Sequence, residues 1–434
     1  MSDERIGVVG TGYVGTTTAA GLAHLGWDVT AVDVDEACVE RLRQGRTELH
    51  EPDLEPLLRQ GIRAGRLSFD VDIERLAAAD IVFVCVPTPA TPSGAADLSA
   101  VHEVLDSLCE TLHPGAIVVL KSTVPVGTTR EAAVAAARYG LHVASNPEFL
   151  RESHAVYDFL HADRIVVGAD DEGVGDRVAK LYRGLESSAV QIVDFESAEL
   201  AKYASNAFLA TKLSFVNELA ELCEKVSADI ELVGECLGSD PRIGAAFLRP
   251  GPGWGGSCLP KDTQALLHVA RGKHVSLGVL AAAVAANDAQ IDRAVKVLGR
   301  AVGRADNSLS GVRVALLGLT FKAGTSDLRD SPALRLAAAL SDRGALLCAY
   351  DPTVTPEDAP ALPLSEAVRV VGDPYDAARD AEAVVVATEW PEFAKLDWPR
   401  LGSLARRRLV VDTRNLLDAE TLRNDGFTVV RNGR

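Results

Sequence analysis

The sequence predicts an α/β protein with two doubly wound domains joined by a helical central domain that contains one long helix. Three observations predict this. Short apolar runs alternate with helical patterns from residue 1 to 196. A stretch without Gly or Pro, 197–226, then carries apolar residues at helical spacing. The strand and helix alternation returns at Val312 and continues to the end of the chain. Such alternation is the signature of a parallel sheet covered on both faces.

The first domain, 1–196, opens with RIGVVGTGYVGTTTAAGLAHLGWDVTAVDVD. Ile6–Val9 reads as a buried strand, followed by Gly10, Gly12 and Gly15 and by a helix ending near Gly26. A second strand, Val29–Val32, closes on Asp33. Further apolar runs predict strands at 81–86, 117–120, 141–144 and 165–167. The central domain, 197–304, holds SAELAKYASNAFLATKLSFVNELAELCEKV, which predicts a long buried helix, and a second helical block at 275–302. Apolar helices of this kind commonly form homodimer interfaces. The third domain, 305–434, repeats the opening architecture: a strand at 312–317, a helix through SPALRLAAALSDRG and a strand ending in Tyr350 and Asp351. Runs at 383–387 and 409–411 add further strands. Its first turn lacks the three glycines and carries Phe321 and Lys322, which suits a different phosphate-bearing ligand.

With 434 residues and 47% hydrophobic composition, the chain has ample core for this plan. The net charge of −17 argues against nucleic acid as a partner. No apolar run reaches the length of a membrane span, and the charged start leads directly into a strand, so neither a membrane nor a secretory signal is expected. The seven cysteines show no metal-ligand or disulfide spacing, which predicts reduced thiols in the cytoplasm and no metal. Six of them read as ordinary buried cysteines.

GTGYVG follows a strand and opens a helix, a Rossmann-like arrangement. The glycines permit the tight turn, and a pyrophosphate sits at the helix N-terminus, over the backbone of Gly10, Gly12, Tyr13, Val14 and Gly15. Asp33 lies where a carboxylate accepts a ribose 2′-hydroxyl and repels a 2′-phosphate, so NAD is expected rather than NADP. KSTVPVGTT follows a strand and offers Thr123 to a ligand or a water; a cap for the next helix explains it equally well. NPEFLRES places Glu148 and Glu152 after another strand, either as site carboxylates or as solvated charges. Lys202 and Asn206, four apart on a helix, suit oxyanion stabilisation or an exposed polar stripe.

GPGWGGSCLPKD, Gly251–Asp262, is the strongest signal. Glycines let backbone approach a ligand, and Cys258 stands just ahead of a proline-started helix, where a thiolate is favoured. Lys261 and Asp262 add a cation and a base. A nucleophilic cysteine beside NAD implies that an alcohol is taken to an acid: the aldehyde is trapped as a thiohemiacetal, oxidised to a thioester and hydrolysed.

The chain resembles the UDP-glucose/GDP-mannose dehydrogenase family of nucleotide-sugar 6-dehydrogenases over nearly its whole length. The resemblance rests on GTGYVG, VPTP (86–89), STVPVGTT, NPEFLRES, KYASNAFLATK, DPRIG (240–244), GPGWGGSCLPKD and FKAGTSDLRDSP (321–332). It implies that Cys258 is the nucleophile and that Lys202 and Asn206 stabilise oxyanions. Asp262 and Thr123 would hold the catalytic water, and Glu148 would assist thioester hydrolysis. The implied NAD contacts are Asp33, Thr88, Thr123, Glu152, Lys261 and Arg329. The implied sugar-nucleotide contacts run through Glu148, Phe149, Leu150, Arg151 and Glu152, through Phe247, Leu248, Arg249, Pro250 and Gly251, and include Lys202, Asn206, Gly255, Cys258, Phe321 and Lys322. Arg242 matches an arginine that reaches the neighbouring subunit's substrate, so a homodimer or larger homo-oligomer is implied. Two positions depart from the family pattern: Ser153, where many relatives have Gly, and Cys38, where a Lys is frequent. GPGWGGSC lies nearer the UDP-glucose branch, which makes UDP-glucose to UDP-glucuronate the expected reaction; dTDP-glucose, a UDP-N-acetylhexosamine and GDP-mannose are the alternatives. A catalytically silent nucleotide-binding regulator would have no need of Cys258, Lys202, Asn206 and Asp262 together.

Overall fold

A computed structural model describes residues 4–185, 189–304 and 308–434. The first residues of the chain and the start of the predicted third domain at 305 lie outside them. The chain divides into two compact units, residues 1–205 with 264–275, and residues 206–263 with 276–434.

The first unit is built on a sheet of β1 (Arg5–Val9), β2 (Asp28–Val32), β3 (Leu67–Asp70), β4 (Ile81–Val84), β5 (Ile117–Leu120), β6 (His142–Ser145), β7 (Arg164–Gly168) and β8 (Ala189–Val193). The order is β3-β2-β1-β4-β5-β6-β7-β8, and every pairing is parallel except β6 with β7. Alternate residues of one strand face different helical layers. Ile6, Val8, Ile81, Phe83, Ile117 and Val119 join the cluster that includes Ala19, Ala20 and Leu22 of the helix Tyr13–His24. Val9, Val82, Val84, Val118 and Leu120 join the other, with Val101, Leu105 and Leu108 of the helix Ser99–Thr111. Burial on both faces is why these strands read as unbroken apolar runs.

The second unit repeats the plan with β9 (Arg313–Leu317), β10 (Leu346–Tyr350), β11 (Val368–Val370), β12 (Ala383–Val386), β13 (Leu409–Asp412) and β14 (Thr428–Arg431), all parallel, in the order β11-β10-β9-β12-β13-β14. The helix Gly278–Ala301 packs Ile291, Ala294, Val295 and Leu298 against this sheet.

The long helix spans Phe195–Val226. It is not buried all round, as the sequence suggested: Phe208, Phe215 and Leu222, seven residues apart, are exposed, as is Val226. The cysteines also differ from expectation. All seven are free thiols, but of the six besides Cys258 only Cys85, Cys109 and Cys223 are buried, while Cys236 is exposed. No helix among the described residues is long and apolar enough to cross a membrane.

Candidate active site

In the first unit the motif residues collect at the carboxyl ends of β1, β2, β4, β5 and β6, where the strand order reverses and doubly wound sheets take their ligands. Gly10 is left-handed at φ 89°, and a Cβ on Gly15 would stand 1.8 Å from the Gly10 carbonyl oxygen, so both positions need glycine. Gly12 faces open space and caps the helix Tyr13–His24 without any side-chain hydrogen bond. That bare helix start is a cradle of the right kind for a pyrophosphate. Asp33 follows β2, its carboxylate accepting the Thr11 N–H at 2.6 Å and the Thr11 hydroxyl at 2.9 Å. It therefore pins the glycine loop from the position where the sequence places a ribose-binding acid. Exchange of Asp33 for Ala should raise the KM for NAD at least about tenfold and narrow the preference over NADP; an unmodified protein that used both cofactors equally would remove Asp33 from this role.

The other loops are tied to this centre. The Thr88 hydroxyl donates to the Thr123 carbonyl at 2.9 Å. Glu199, buried on the long helix, accepts the Gly127 N–H (2.6 Å), the Thr129 N–H (2.7 Å) and the Thr129 hydroxyl (2.6 Å), fixing the end of the STVPVGTT loop. Tyr13 donates to Glu51 and accepts from the Ser153 N–H, linking the fingerprint to NPEFLRES. Ser153, at φ 67°, holds the left-handed conformation that glycine adopts most readily.

Glu148 and Lys202 are buried and paired at 2.9 Å, so neither is a surface charge. Burial acts most strongly on Glu148 and pushes its pKa up, but it is outweighed by the Lys202 charge and hydrogen bond, the Leu150 N–H and the Lys121 charge, which together hold the carboxyl below its usual range. The Phe149 ring has two cations against it, Arg164 at 4.0 Å and Lys202 at 5.4 Å from its centroid. Arg151 turns to Asp158, 2.6 Å away, and is half-exposed.

In the second unit Cys258 precedes the helix Leu259–Gly272, and its carbonyl accepts the Asp262 N–H at 2.9 Å. Its sulfur lies 3.6 Å from the Ser257 hydroxyl. Asp262 is buried, with one oxygen on the Lys261 ammonium (2.6 Å) and the other on the Asn206 amide (2.5 Å). Asn206 is itself buried, which removes the exposed-stripe reading.

The glycines of this loop serve packing more than access. A Cβ on Gly255 would lie 1.9 Å from the Asp330 carbonyl oxygen; on Gly256, 2.7 Å from the Phe321 ring; on Gly253, 2.9 Å from Asn287. Asn217 accepts the Gly251 N–H, Gln290 donates to the Gly251 carbonyl, and Asn287 bonds both the N–H and the carbonyl of Trp254. Phe247 is left-handed at φ 63°, Leu248 and Pro250 are buried, and Arg249 is exposed. Arg242 and Arg329 project outward and pair with Asp240 and Asp327, two residues away in each case.

Sequence reasoning did not pick out Arg414. It follows β13, donates to the Phe321 carbonyl at 3.2 Å and would lie 3.2 Å from a Cβ on Gly251, which makes it a cation beside the segment assigned to the sugar nucleotide. Nor does the second sheet copy the first in its acid. Asp351, at the end of β10, is buried and accepts from the Leu319 and Thr320 N–H groups and the Trp390 indole, so no ribose can reach it.

Three family models match in sequence: the UDP-glucose/GDP-mannose dehydrogenase NAD binding domain at residues 4–186, central domain at 196–289 and UDP binding domain at 315–419. The chain belongs to the UDP-glucose/GDP-mannose dehydrogenase family. It is an NAD-dependent dehydrogenase of nucleotide sugars, and the bare glycine loop with Asp33 fits that cofactor. Among the family's members, a UDP-glucose 6-dehydrogenase of Rhizobium meliloti strain 1021 is 41% identical, with 99% of each chain covered. The structure of a UDP-glucose dehydrogenase from Pyrobaculum islandicum superposes with a TM-score of 0.88 at 37% identity, over 99% of this chain and 97% of that one. A UDP-D-ManNAc dehydrogenase from Pyrococcus horikoshii gives 0.87 at 28% identity, over 99% of both chains.

Proposed function

We propose that the chain oxidises the C6 alcohol of UDP-glucose to the carboxylate of UDP-glucuronate. The observation that carries this reading is Cys258 at the start of its helix, with Asp262 one turn on and bonded to both Asn206 and Lys261. An alcohol dehydrogenase that stops at the aldehyde has no use for a held thiol.

NAD, when bound, accepts hydride in each of the two oxidations. The Cys258 sulfur adds to the C6 aldehyde, and the oxygen of the resulting thiohemiacetal takes its negative charge beside the Lys202 ammonium and the Asn206 amide. Loss of the second hydride leaves a thioester. Water held by Asp262 and Thr123 and assisted by Glu148 cleaves it, releasing carboxylate and thiol. Thr88, Thr123, Glu152, Lys261 and Arg329 are the further cofactor contacts in this reading. Phe321, Lys322 and the Phe247–Gly251 segment hold the sugar nucleotide, with Arg414 beside them.

The division into domains at 196 and 304 is supported by the spans of the three family models. A homodimer is supported by the exposed Phe208, Phe215 and Leu222 stripe, by the apolar hollow at Leu232, Val233, Cys236 and Leu237, and by the side chain of Arg242, which is 88% exposed. Seven reduced thiols support a cytoplasmic location.

The same chemistry on a UDP-N-acetylhexosamine is the second reading, favoured by the likeness to the Pyrococcus structure; dTDP-glucose and GDP-mannose are further candidates. Offered each sugar nucleotide in turn with excess NAD, the protein should show its highest kcat/KM on UDP-glucose and form two NADH per molecule consumed. One NADH per molecule would refute the thioester route, and none with any sugar would point to a regulator.

A further inference from the structure

Lys121, the last charged residue before the STVPVGTT loop, has no part in the chemistry above. It is buried, and among the described residues its ammonium touches no carboxylate. It donates instead to the Asn146 side-chain oxygen at 3.0 Å, and at 3.5 Å to the Asn146 carbonyl and the Tyr182 hydroxyl. Tyr182 donates to the same Asn146 oxygen at 2.5 Å. The Asn146 amide group donates to the Val166 carbonyl at 2.8 Å, and its N–H to the Leu120 carbonyl at 2.9 Å. A buried cation without a contacting anion is costly and persists only where something requires it.

We propose that Lys121 is a positioning residue for Glu148. Asn146 and Glu148 are separated only by Pro147, which fixes its own φ and restricts the residue before it. A clamped Asn146 therefore aims the Glu148 carboxylate, and the Lys121 charge adds to that of Lys202 in keeping the carboxylate ionised. The proposal rests on the reading that Glu148 assists thioester hydrolysis.

The groups facing this cluster are few. Burial pushes the Cys85 thiol, at the end of β4, up to about 12 and raises the Tyr182 phenol, so both are neutral at working pH. Among the described residues the charges nearest the cluster are Glu148, Lys202, Lys121 and the Arg164 guanidinium against Phe149. Burial is also the main influence on Lys121, lowering it to about 8, with Lys202 adding repulsion and Glu148 opposing. Glu148 is thus a carboxylate held low by two cations. Activity that needs it ionised is lost as pH falls through its pKa, and removal of one cation moves that acid limb upward.

The test is the pH profile of kcat in the full-length protein. In Lys121→Met we expect kcat at neutral pH to fall about tenfold, KM for NAD and for sugar nucleotide to change less than twofold, and the acid limb to move up by about one pH unit. Asn146→Asp, which sets a carboxylate against the ammonium, should move the limb in the same direction and carries the test if Lys121→Met does not fold. An acid limb unmoved in both variants, with only thermal stability changed, would make Lys121 a structural residue and overturn the proposal. Glu148→Gln separates the two ideas. If it turns over normally, the reading of Glu148 and the proposal fall together; if it is slowed while the limb stays fixed in Lys121→Met, the proposal falls alone.

Discussion

Replacement of Cys258 by Ala should abolish uronate formation in steady turnover while leaving the binding of NAD and sugar nucleotide intact. In the proposed route the thiol is needed only from the aldehyde onward. Hydride loss from the alcohol requires cofactor, geometry and a base, as in dehydrogenases that lack any cysteine. The alanine protein, supplied with the 6-aldehyde and NADH, should still reduce it to the alcohol, because that step runs the first oxidation backward and forms no bond to sulfur. The missing side chain leaves the loop's own hydrogen bonds untouched, since these run through Gly251 and Trp254. Mass spectrometry of the products decides the matter: substantial uronate from the alanine protein would end the thioester route and leave Cys258 as a packing residue.

Replacement of Gly255 by Ala should cost about 3 kcal/mol of stability, at the upper end of what overpacking does. The new methyl would sit 1.9 Å from the Asp330 carbonyl oxygen and 2.8 Å from the Pro332 ring, neither of which is a flexible side-chain end. The loop must shift, and Cys258, three residues on, shifts with it, so kcat should fall well beyond what the stability loss accounts for. Gly278→Ala is the control: it lies at an exposed helix start with nothing within 4 Å and should be neutral or slightly stabilising. Thermal unfolding and kcat measured on both proteins check this. Equal behaviour of the two would mean that the Gly255 contact with Asp330 does not constrain the loop.

The sequence was legible where residues are buried on two faces or grouped in motifs. The strands β1, β4, β5, β9, β12 and β13 are apolar runs because helices cover both sides of them. The edge strands were not seen. β3 (LSFD) and β11 (VRV) are short with exposed alternate residues, β8 (AVQIV) is almost wholly exposed, and β14 ends in Arg431. An edge strand buries too little to leave an apolar run. In the site, Cys258, Asp262, Lys202, Asn206 and Glu148 were all readable from their motifs. The residues that hold the surrounding loops were not. Glu51, Glu199, Asn217, Asn287 and Gln290 are polar side chains that look like surface until the fold shows which backbone groups they satisfy. The glycines of the cysteine loop were read as room for a ligand, whereas Gly253, Gly255 and Gly256 are filled by neighbouring protein.

The grip of Asn217, Asn287 and Gln290 on the loop ahead of Cys258 has a consequence for turnover. Residues 251–255 have no regular secondary structure, and such a segment ordinarily samples many shapes. Here the N–H and carbonyl of Gly251 and of Trp254 all end on buried side chains of two helices rather than on water. The conformational freedom of the segment is therefore lost once, when the chain folds, and not again each time a substrate arrives. In the proposed route the sulfur waits in place through both oxidations, and the aldehyde formed in the first would have little time to diffuse away before capture.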